Sequence, residues 1–491
     1  MEDSMVGITS YGGHIPRLRL NRGVVYGANA WMAPGLIGSA GGERSMANWD
    51  EDSLTMAVEA ARDCIDGIDK GLIDAAYMAS VSFPYKDRLN AGIMATALNL
   101  SNTLDSADFT ASLRAGASAL MAGINAVKSG DFRNVLVAAG DRRITKMAYT
   151  HELLAGDGAA ALLLGSENVI AEFKCAATIT EDFADHYRGE GAQFDYNWEE
   201  RWIKDEGILK IVPAAIQGLF NKVGISGKDI DRFVMPCFFP RVPVQIAGMV
   251  GIAPEKTADN MHNICGDTGT AHPLVMLIAA LEQARPGDKI LLAAFGQGCT
   301  AMLFEVTDNI SRMSRKRGIQ GSLADRKEEQ NYLKFLSHRG LLQQDLTMRA
   351  EANWKTALSA LYRNRKMILA MVGGKCTKCG TAQYPKADVC VNPSCNAVNT
   401  QEDCEFADQP GKIKTYTSDL LTYTPDPPAH YGMITFENGG RGMFDFTDYE
   451  TGKVEVGLPV RMVFRIRNRD NQRNFTQYYW KAKPVIKQEE A

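Results

Sequence analysis

"GASALMAGINAVKSGDFRNVLVAA", Gly116–Ala139, joins a small-residue helical run to a short apolar run through a Gly-Asp turn. The pattern from Gly116 to Lys128 predicts a helix, Gly130 and Asp131 end it, and Asn134 to Ala139 reads as a buried strand. The same rhythm returns in "TAHPLVMLIAALEQARPGDKILLAA", Thr270–Ala294, with a helix to Gln283, a turn at Gly287 and Asp288, and a strand from Lys289. Two copies of helix, turn and strand predict a duplicated α/β half. Around them, from Gly7 to about Val306, β-rich runs alternate with amphipathic ones such as Ser53 to Ile68. That alternation argues for layered α/β structure with buried sheets.

The chain has 491 residues, 45% apolar and 23% charged, enough for more than one core; disorder and coiled coil are excluded as the main architecture. Fifty-four Lys and Arg against 58 acids leave a formal charge of -4. A global basic field for nucleic acid or an anionic membrane is therefore missing, and a small-molecule substrate is the better expectation. Met1 to Met5 carries acids and does not read as a signal peptide, and no run reaches the roughly 20 apolar residues of a membrane span. With ten cysteines, six of them scattered singly, the reading is a reducing cytoplasm plus one metal site.

From about Ser311 the text turns charged and helical as far as Leu369, a helical connector; after Cys395 it is β-rich, with Gly439 and Gly440 as a hairpin turn. Cys376-x2-Cys379 and Cys390-x4-Cys395 supply two thiolate pairs, and four sulfurs leave no open position for substrate. The expectation is a structural zinc ribbon followed by a five-stranded barrel of OB type. Cys404, off the pattern, reads as a buried thiol. A ribbon beside such a barrel can also bind nucleic acid, and Tyr478, Tyr479, Trp480 and the alternating Arg465, Arg467 and Arg469 offer some support. Acids nearly balance bases across Met371 to Ala491, however, and alternate arginines read as one solvated face, so no nucleic-acid partner is expected.

Several stretches from Gly7 to about Val306 resemble the 3-hydroxy-3-methylglutaryl-CoA synthases of archaeal and bacterial type, within the thiolase superfamily. They are "NWDEDSLTMAVEAARD" at Asn48, "SVSFPY" at Ser80, "SLRAGASAL" at Ser112, "AGDGAAALLLG" at Ala155, "DRFVMPCFFPRVPVQIAGMVGI" at Asp231, "GDTGTA" at Gly266 and "AFGQGCTAM" around Gly296. The part from about Arg326 resembles the small zinc-ribbon and OB-fold proteins that accompany thiolase-like enzymes and help them handle acyl-CoA. The resemblance implies a thiolase-like duplicated α-β-α-β-α fold over 1–310, then a helical connector over 311–370, a zinc ribbon over 371–400 and an OB barrel over 401–491.

The family's chemistry, as the resemblance implies it, uses a cysteine to take the acyl group, a histidine to position a carbonyl and a glutamate to move protons. Matched motif by motif, the cysteine falls on Leu113, the glutamate on Val81 and the histidine on Pro236, while the asparagine of the last motif falls on Asp267. Leucine, valine and proline neither attack a thioester nor carry a proton, so an acyl-enzyme route is not expected. Tyr85, Ser112, Asp267 and His272 are the weaker candidates for acid or base work. Ser80, Ser82, Cys237 and His262 are further polar groups on segments that line the family's pocket. Arg241 falls where the family carries a lysine near the CoA phosphates, and Arg114 is a second candidate for an anionic group of CoA. His151 and Glu152 read as structural, and Asp157 as turn chemistry.

Three functions follow. The first is a CoA-thioester-binding subunit for carbon–carbon bond formation or cleavage, paired as a homodimer or as a hetero-oligomer with a thiolase-type or other acyl-CoA enzyme. The second is a non-acylating retro-aldol or Claisen-type lyase, or an acyltransferase, with rearranged residues. The third is an inert scaffold.

Overall fold

The computed structural model describes residues 5–314, 316–345, 355, 357–450 and 452–485. Two compact units emerge: one of residues 1–47, 52–94 and 100–335, the other of residues 48–51, 95–99 and 336–491.

The first unit is built on a nine-stranded sheet. One half runs in the order Asp105–Phe109, Ala75–Ala79, Asn134–Asp141, Gly158–Gly165, Gly7–His14. The other runs Arg232–Val234, Lys289–Phe295, Gly298–Val306, Ala171–Thr180. The strand after each Gly-Asp turn repeats one pattern: Asn134–Asp141 pairs parallel with Ala75–Ala79 and antiparallel with Gly158–Gly165. Lys289–Phe295 pairs parallel with Arg232–Val234 and antiparallel with Gly298–Val306. The halves meet only where Gly7 and Ile8 face Glu172 and Ala171.

Helices complete the layers. Ser53–Ile65 covers the first half-sheet from one side and Leu209–Val223 the second half-sheet. Between the halves lie Ala115–Lys128 and His272–Leu281, the two helices read from the opening repeat. Ala115–Lys128 is rich in alanine and glycine and His272–Leu281 in leucine and other large aliphatic residues, and both share one buried core with the two half-sheets. Ser53–Ile65 starts at a capping box, with the Asp52 carboxylate accepting from the Thr55 N–H. Its C-terminus falls at Ile65 because Gly67 takes the left-handed region at φ +73°.

The stretch read as a helical connector carries Gly318–Ala324, Tyr332–His338, Leu358–Arg363 and Arg365–Leu369, and also a strand, Lys327–Glu329. That strand pairs parallel with Leu18–Asn21, itself antiparallel to Glu43–Met46, so the chain to Phe335 groups with the first unit. No helix among the described residues is long and apolar enough to cross a membrane.

In the second unit, Val372–Cys376 is flanked by Ala382–Gln383 and Gln401–Glu405. Five antiparallel strands follow in the order Arg441–Asp445, Ala429–Phe436, Gly411–Asp419, Pro459–Asp470, Phe475–Pro484. Phe446 bridges to Ala482, bringing the first strand of that order round to the last, as an OB barrel requires. Gly439, at φ +93°, makes the expected hairpin turn. The arginine reading needs correction: Arg467 and Arg469 are exposed, but Arg465 is fully buried. A bulge between Ile466 and Asn468 breaks the alternation, and Arg465 binds Glu51 and Asp448 at 3.0 Å each. Tyr478 and Trp480 are core residues, and the Trp480 indole donates to the Leu369 carbonyl at 2.8 Å. They offer no stacking platform.

Candidate functional site

A pocket of about 790 Å³, measured out to its mouth, opens in the first unit at the end of the strand Lys289–Phe295, beside the turn before the inner helix Ala115–Lys128. Leu113, Pro236 and Asp267 all line it. Leu113 sits in the turn before the inner helix Ala115–Lys128, and Pro236 lies just past the strand Arg232–Val234. Asp267 is held by backbone on both sides: its N–H donates to Leu154 O at 2.8 Å and its carbonyl accepts from Gly156 N at 2.7 Å. Its carboxylate accepts from the Gly269 N–H at 2.8 Å. Three segments far apart in sequence thus converge on one cavity.

The same wall carries His151, read above as structural, and side chains not singled out above. His151 is stacked on Tyr149 at 4.8 Å and 6°, and tilted against Phe238 at 4.5 Å. Its Nδ1 is buried without a hydrogen-bond partner. Burial, with Arg143 and His186 nearby, pushes its pKa down to about 4, so the ring is neutral at physiological pH. Arg143, also on the wall, is tied to Asp195 at 2.5 Å, and Arg188 takes the other oxygen of Asp195 at 3.1 Å. Burial alone would raise Asp195, but the two arginines outweigh it and hold the carboxyl below its usual range. His186 and Asp185 pair at 3.0 Å. Nothing in the local text around Asp185 or His186 marks them, and His151 reads as structural there; only the tertiary fold turns all three into one cavity.

Cys237 lines the pocket, yet burial pushes its thiol up to about 12, so it is not a nucleophile there. Val81 and Ser112 do not line the cavity. The loop Ser80–Ser82 is clamped by the buried Asp141 carboxylate, which accepts from Ser80 Oγ at 2.8 Å, Val81 N at 3.0 Å and Ser82 Oγ at 2.7 Å, and also from Thr270 N at 2.7 Å. Ser112 Oγ donates to Gly296 O at 3.0 Å. Tyr85 lies away from the cavity under the Arg88 guanidinium, at 4.6 Å. His272 is fully buried behind it, engaging Asn260 O through Nε2 at 3.0 Å and the Thr268 N–H through Nδ1 at 3.3 Å. Arg114 donates to Ile179 O at 3.0 Å, and Arg241 is exposed at the N-terminus of Val242–Met249. His262 is buried next to Asp267 and His272, and its pKa is pushed down to about 4 by burial. That trio carries no metal assignment: both His272 nitrogens are engaged, and Arg22 and Arg143 act on the same groups.

In the second unit Cys376, Cys379, Cys390 and Cys395 come together. The Sγ separations are 3.9 Å for Cys376–Cys395 and 3.5 Å for Cys379–Cys390. They bracket the roughly 3.8 Å edge of a tetrahedron with ~2.3 Å metal–sulfur bonds, so the four thiolates fit a closed structural site. Cys404 lies outside this group, partly exposed, with Asn438 Nδ2 at 3.8 Å from its sulfur.

Residues 220–306 match the family described as 3-oxoacyl-[acyl-carrier-protein (ACP)] synthase III C terminal, and residues 405–465 match the ChsH2 C-terminal OB-fold domain. The chain is 30% identical over 343 residues to a hydroxymethylglutaryl-CoA synthase of Archaeoglobus fulgidus, covering 68% of this chain and 98% of that one. It is 31% identical over 318 residues to one of Methanococcoides burtonii, covering 63% and 90%. Among solved structures, an HMG-CoA synthase complexed with CoA superposes with a TM-score of 0.60 at 19% identity, covering 72% of this chain and 94% of that one. MvaS in complex with 3-hydroxy-3-methylglutaryl coenzyme A gives 0.57 at 15%, covering 82% and 99%. The first unit therefore has the thiolase-like fold, and an OB-fold domain follows it.

Proposed function

This chain belongs to the hydroxymethylglutaryl-CoA synthase family, and from that premise we propose that its first unit binds an acyl-CoA thioester and serves carbon–carbon bond formation or cleavage without loading the acyl group onto a cysteine. The observation that carries the reading is the pocket wall itself: an alkyl side chain at Leu113, an imino acid at Pro236, and a single lining cysteine, Cys237, whose thiol stays protonated. A thioester offered to such a wall meets no thiolate and no imidazole at those positions. The CoA complexes of the solved neighbours support the ligand class, and Arg241 and Arg114 are the residues proposed for its anionic groups. The OB domain supports action beside a catalytic partner, in a homodimer or in a hetero-oligomer with a thiolase-type or other acyl-CoA enzyme. Zinc is the proposed ion for the four thiolates, where it would serve structure alone. Ten unpaired cysteines suit a reducing compartment such as the cytoplasm.

Intact-protein mass spectrometry after incubation with a panel of acyl-CoA esters, beside calorimetric titration with the same esters, tests this. Binding with no mass adduct is the expected result. A covalent acyl adduct overturns the non-acylating part, and absence of binding at millimolar ester favours a scaffold.

One observation favours a second reading, in which the chain is itself a non-acylating lyase: His151 and Asp267 are titratable groups in one pocket. In a retro-aldol step, neutral His151 would accept the proton of a β-hydroxyl as its oxygen becomes a carbonyl. The C2–C3 bond breaks, its electron pair enters the thioester enolate, and a proton is then delivered to C2. His151→Phe should abolish any turnover of a β-hydroxyacyl-CoA; retained turnover removes the residue from this role.

A further inference from the structure

We infer that the acyl group taken by this pocket is an uncharged aromatic one, an inference that rests on the CoA-thioester reading above. Two runs of rings supply the wall. In one, Tyr149, His151 and Phe238 succeed one another at 4.8 and 4.5 Å. In the other, Trp202 stands 5.4 Å from Trp198, Trp198 6.1 Å from Phe183, and Phe183 6.5 Å from Phe295. Tyr149, Phe238, Trp198 and Phe295 line the cavity directly, with Leu113 on the same wall. Trp198 is 43% exposed, a large indole of the lining kept at the surface rather than in the core. Ring faces and edges arranged this way favour a planar aromatic guest, through burial and through offset or edge-on contact.

The charges of the pocket disfavour the alternative of a carboxylate-bearing acyl group. Arg143 is committed to Asp195, which Arg188 also engages, and His186 is committed to Asp185. The remaining ionisable groups of the wall include the carboxylates of Asp267 and Glu200, which repel a second carboxylate. A hydroxymethylglutaryl group would therefore have to compete with Asp195 for the guanidinium groups of Arg143 and Arg188. A neutral aromatic acyl does not, and it occupies the apolar surface that Leu113, Phe238 and Phe295 present.

Calorimetric titration of the full chain with CoA, acetyl-CoA, hydroxymethylglutaryl-CoA and phenylacetyl-CoA decides the matter. Phenylacetyl-CoA is expected to bind at least about tenfold more tightly than either of the other esters. In Trp198→Ala, which removes the half-exposed ring of that wall, the ratio of phenylacetyl-CoA to acetyl-CoA affinity is expected to fall to within about threefold of one. Equal affinities in the natural chain, or a preference for hydroxymethylglutaryl-CoA, overturn the aromatic assignment and leave the thioester reading standing. Failure of every ester and of CoA itself to bind overturns both.

Discussion

At position 113 a branched alkyl side chain lines the cavity from the turn that leads into the inner helix Ala115–Lys128. A thiol at a helix N-terminus is easier to ionise than one buried like Cys237. Leu113→Cys is therefore expected to gain an acetyl adduct from acetyl-CoA, read by intact-protein mass, while the natural chain gains none. An adduct on both, or on the natural chain alone, contradicts the account of this wall. A second consequence belongs to His262. It is 4% exposed, and burial holds its pKa near 4 against 6.5 in the unfolded chain. The unfolded state binds the extra proton between those values, so the stability His262 contributes is present above pH 6.5 and is lost as pH falls toward 4, on the order of 3 kcal/mol at the limit. Asp267 and Asp259 oppose the shift, and His272 and Arg22 reinforce it. The thermal midpoint should fall between pH 7 and pH 5, and less so in His262→Met. Of the pocket's residues, Leu113, Pro236, Cys237 and Asp267 were legible because motifs carry them. His151 was read as structural, because a histidine's role depends on what surrounds it, and here Tyr149 and Phe238 do so from separate segments.

The elements were legible where periodicity is strong. The helices of the opening repeat and the strands after their Gly-Asp turns fall within a few residues of their sequence reading, since each has one apolar face or is buried on both. Short or irregular pieces were not: Lys327–Glu329 is a charged strand that exists because Leu18–Leu20 lies beside it, and the π turn Ile203–Ile208 has no local signature. Gly116 shows what the repeat demands physically. A Cβ there would stand 2.3 Å from the Thr270 carbonyl and 3.2 Å from Leu274, so the two inner helices approach through a missing side chain. Gly116→Ala, normally favourable in a helix, is expected to destabilise by about 1–3 kcal/mol through overpacking against backbone. A raised denaturation midpoint would show that the helices can part freely. For the ribbon, one zinc per chain by elemental analysis is expected. Chelation should speed hydrogen exchange in Val372–Cys376 and Gln401–Glu405, whose pairing depends on the cysteine knuckles.

At the scale of the chain, the layered fold and the OB barrel were both readable, because composition shifts and motif order survive without any contact map. What a linear reading cannot supply is the makeup of the second unit, which takes residues 48–51 and 95–99 from the first hundred residues. Within that unit Asp50, Glu51 and Asp448 face Arg465, Lys481 and Lys483, three acids against three bases, all with buried side chains. Asp50 receives Lys481 Nζ at 2.9 Å, its carbonyl accepts from Ile466 N at 2.8 Å, and the Trp49 ring lies 4.0 Å from the same ammonium. Burial raises the Asp50 carboxyl above its usual range, against the pull of Lys481 and Arg465. Such a network is not a source of stability in itself, since desolvation consumes most of its Coulombic gain, but removing one member strands a charge away from water. Asp50→Asn should therefore cost about 3–5 kcal/mol, localised to the strands Pro459–Asp470 and Phe475–Pro484, which carry Arg465, Lys481 and Lys483. Hydrogen exchange read by mass spectrometry should rise in those two strands and stay unchanged in Asn134–Asp141 of the first unit. A fragment of residues 336–491 alone lacks Asp50 and Glu51 and should show the same loss, with the two lysines and Arg465 left facing Asp448. If that fragment exchanges as slowly as the full chain, the segment 48–51 is a passenger and the charge balance drawn here is wrong.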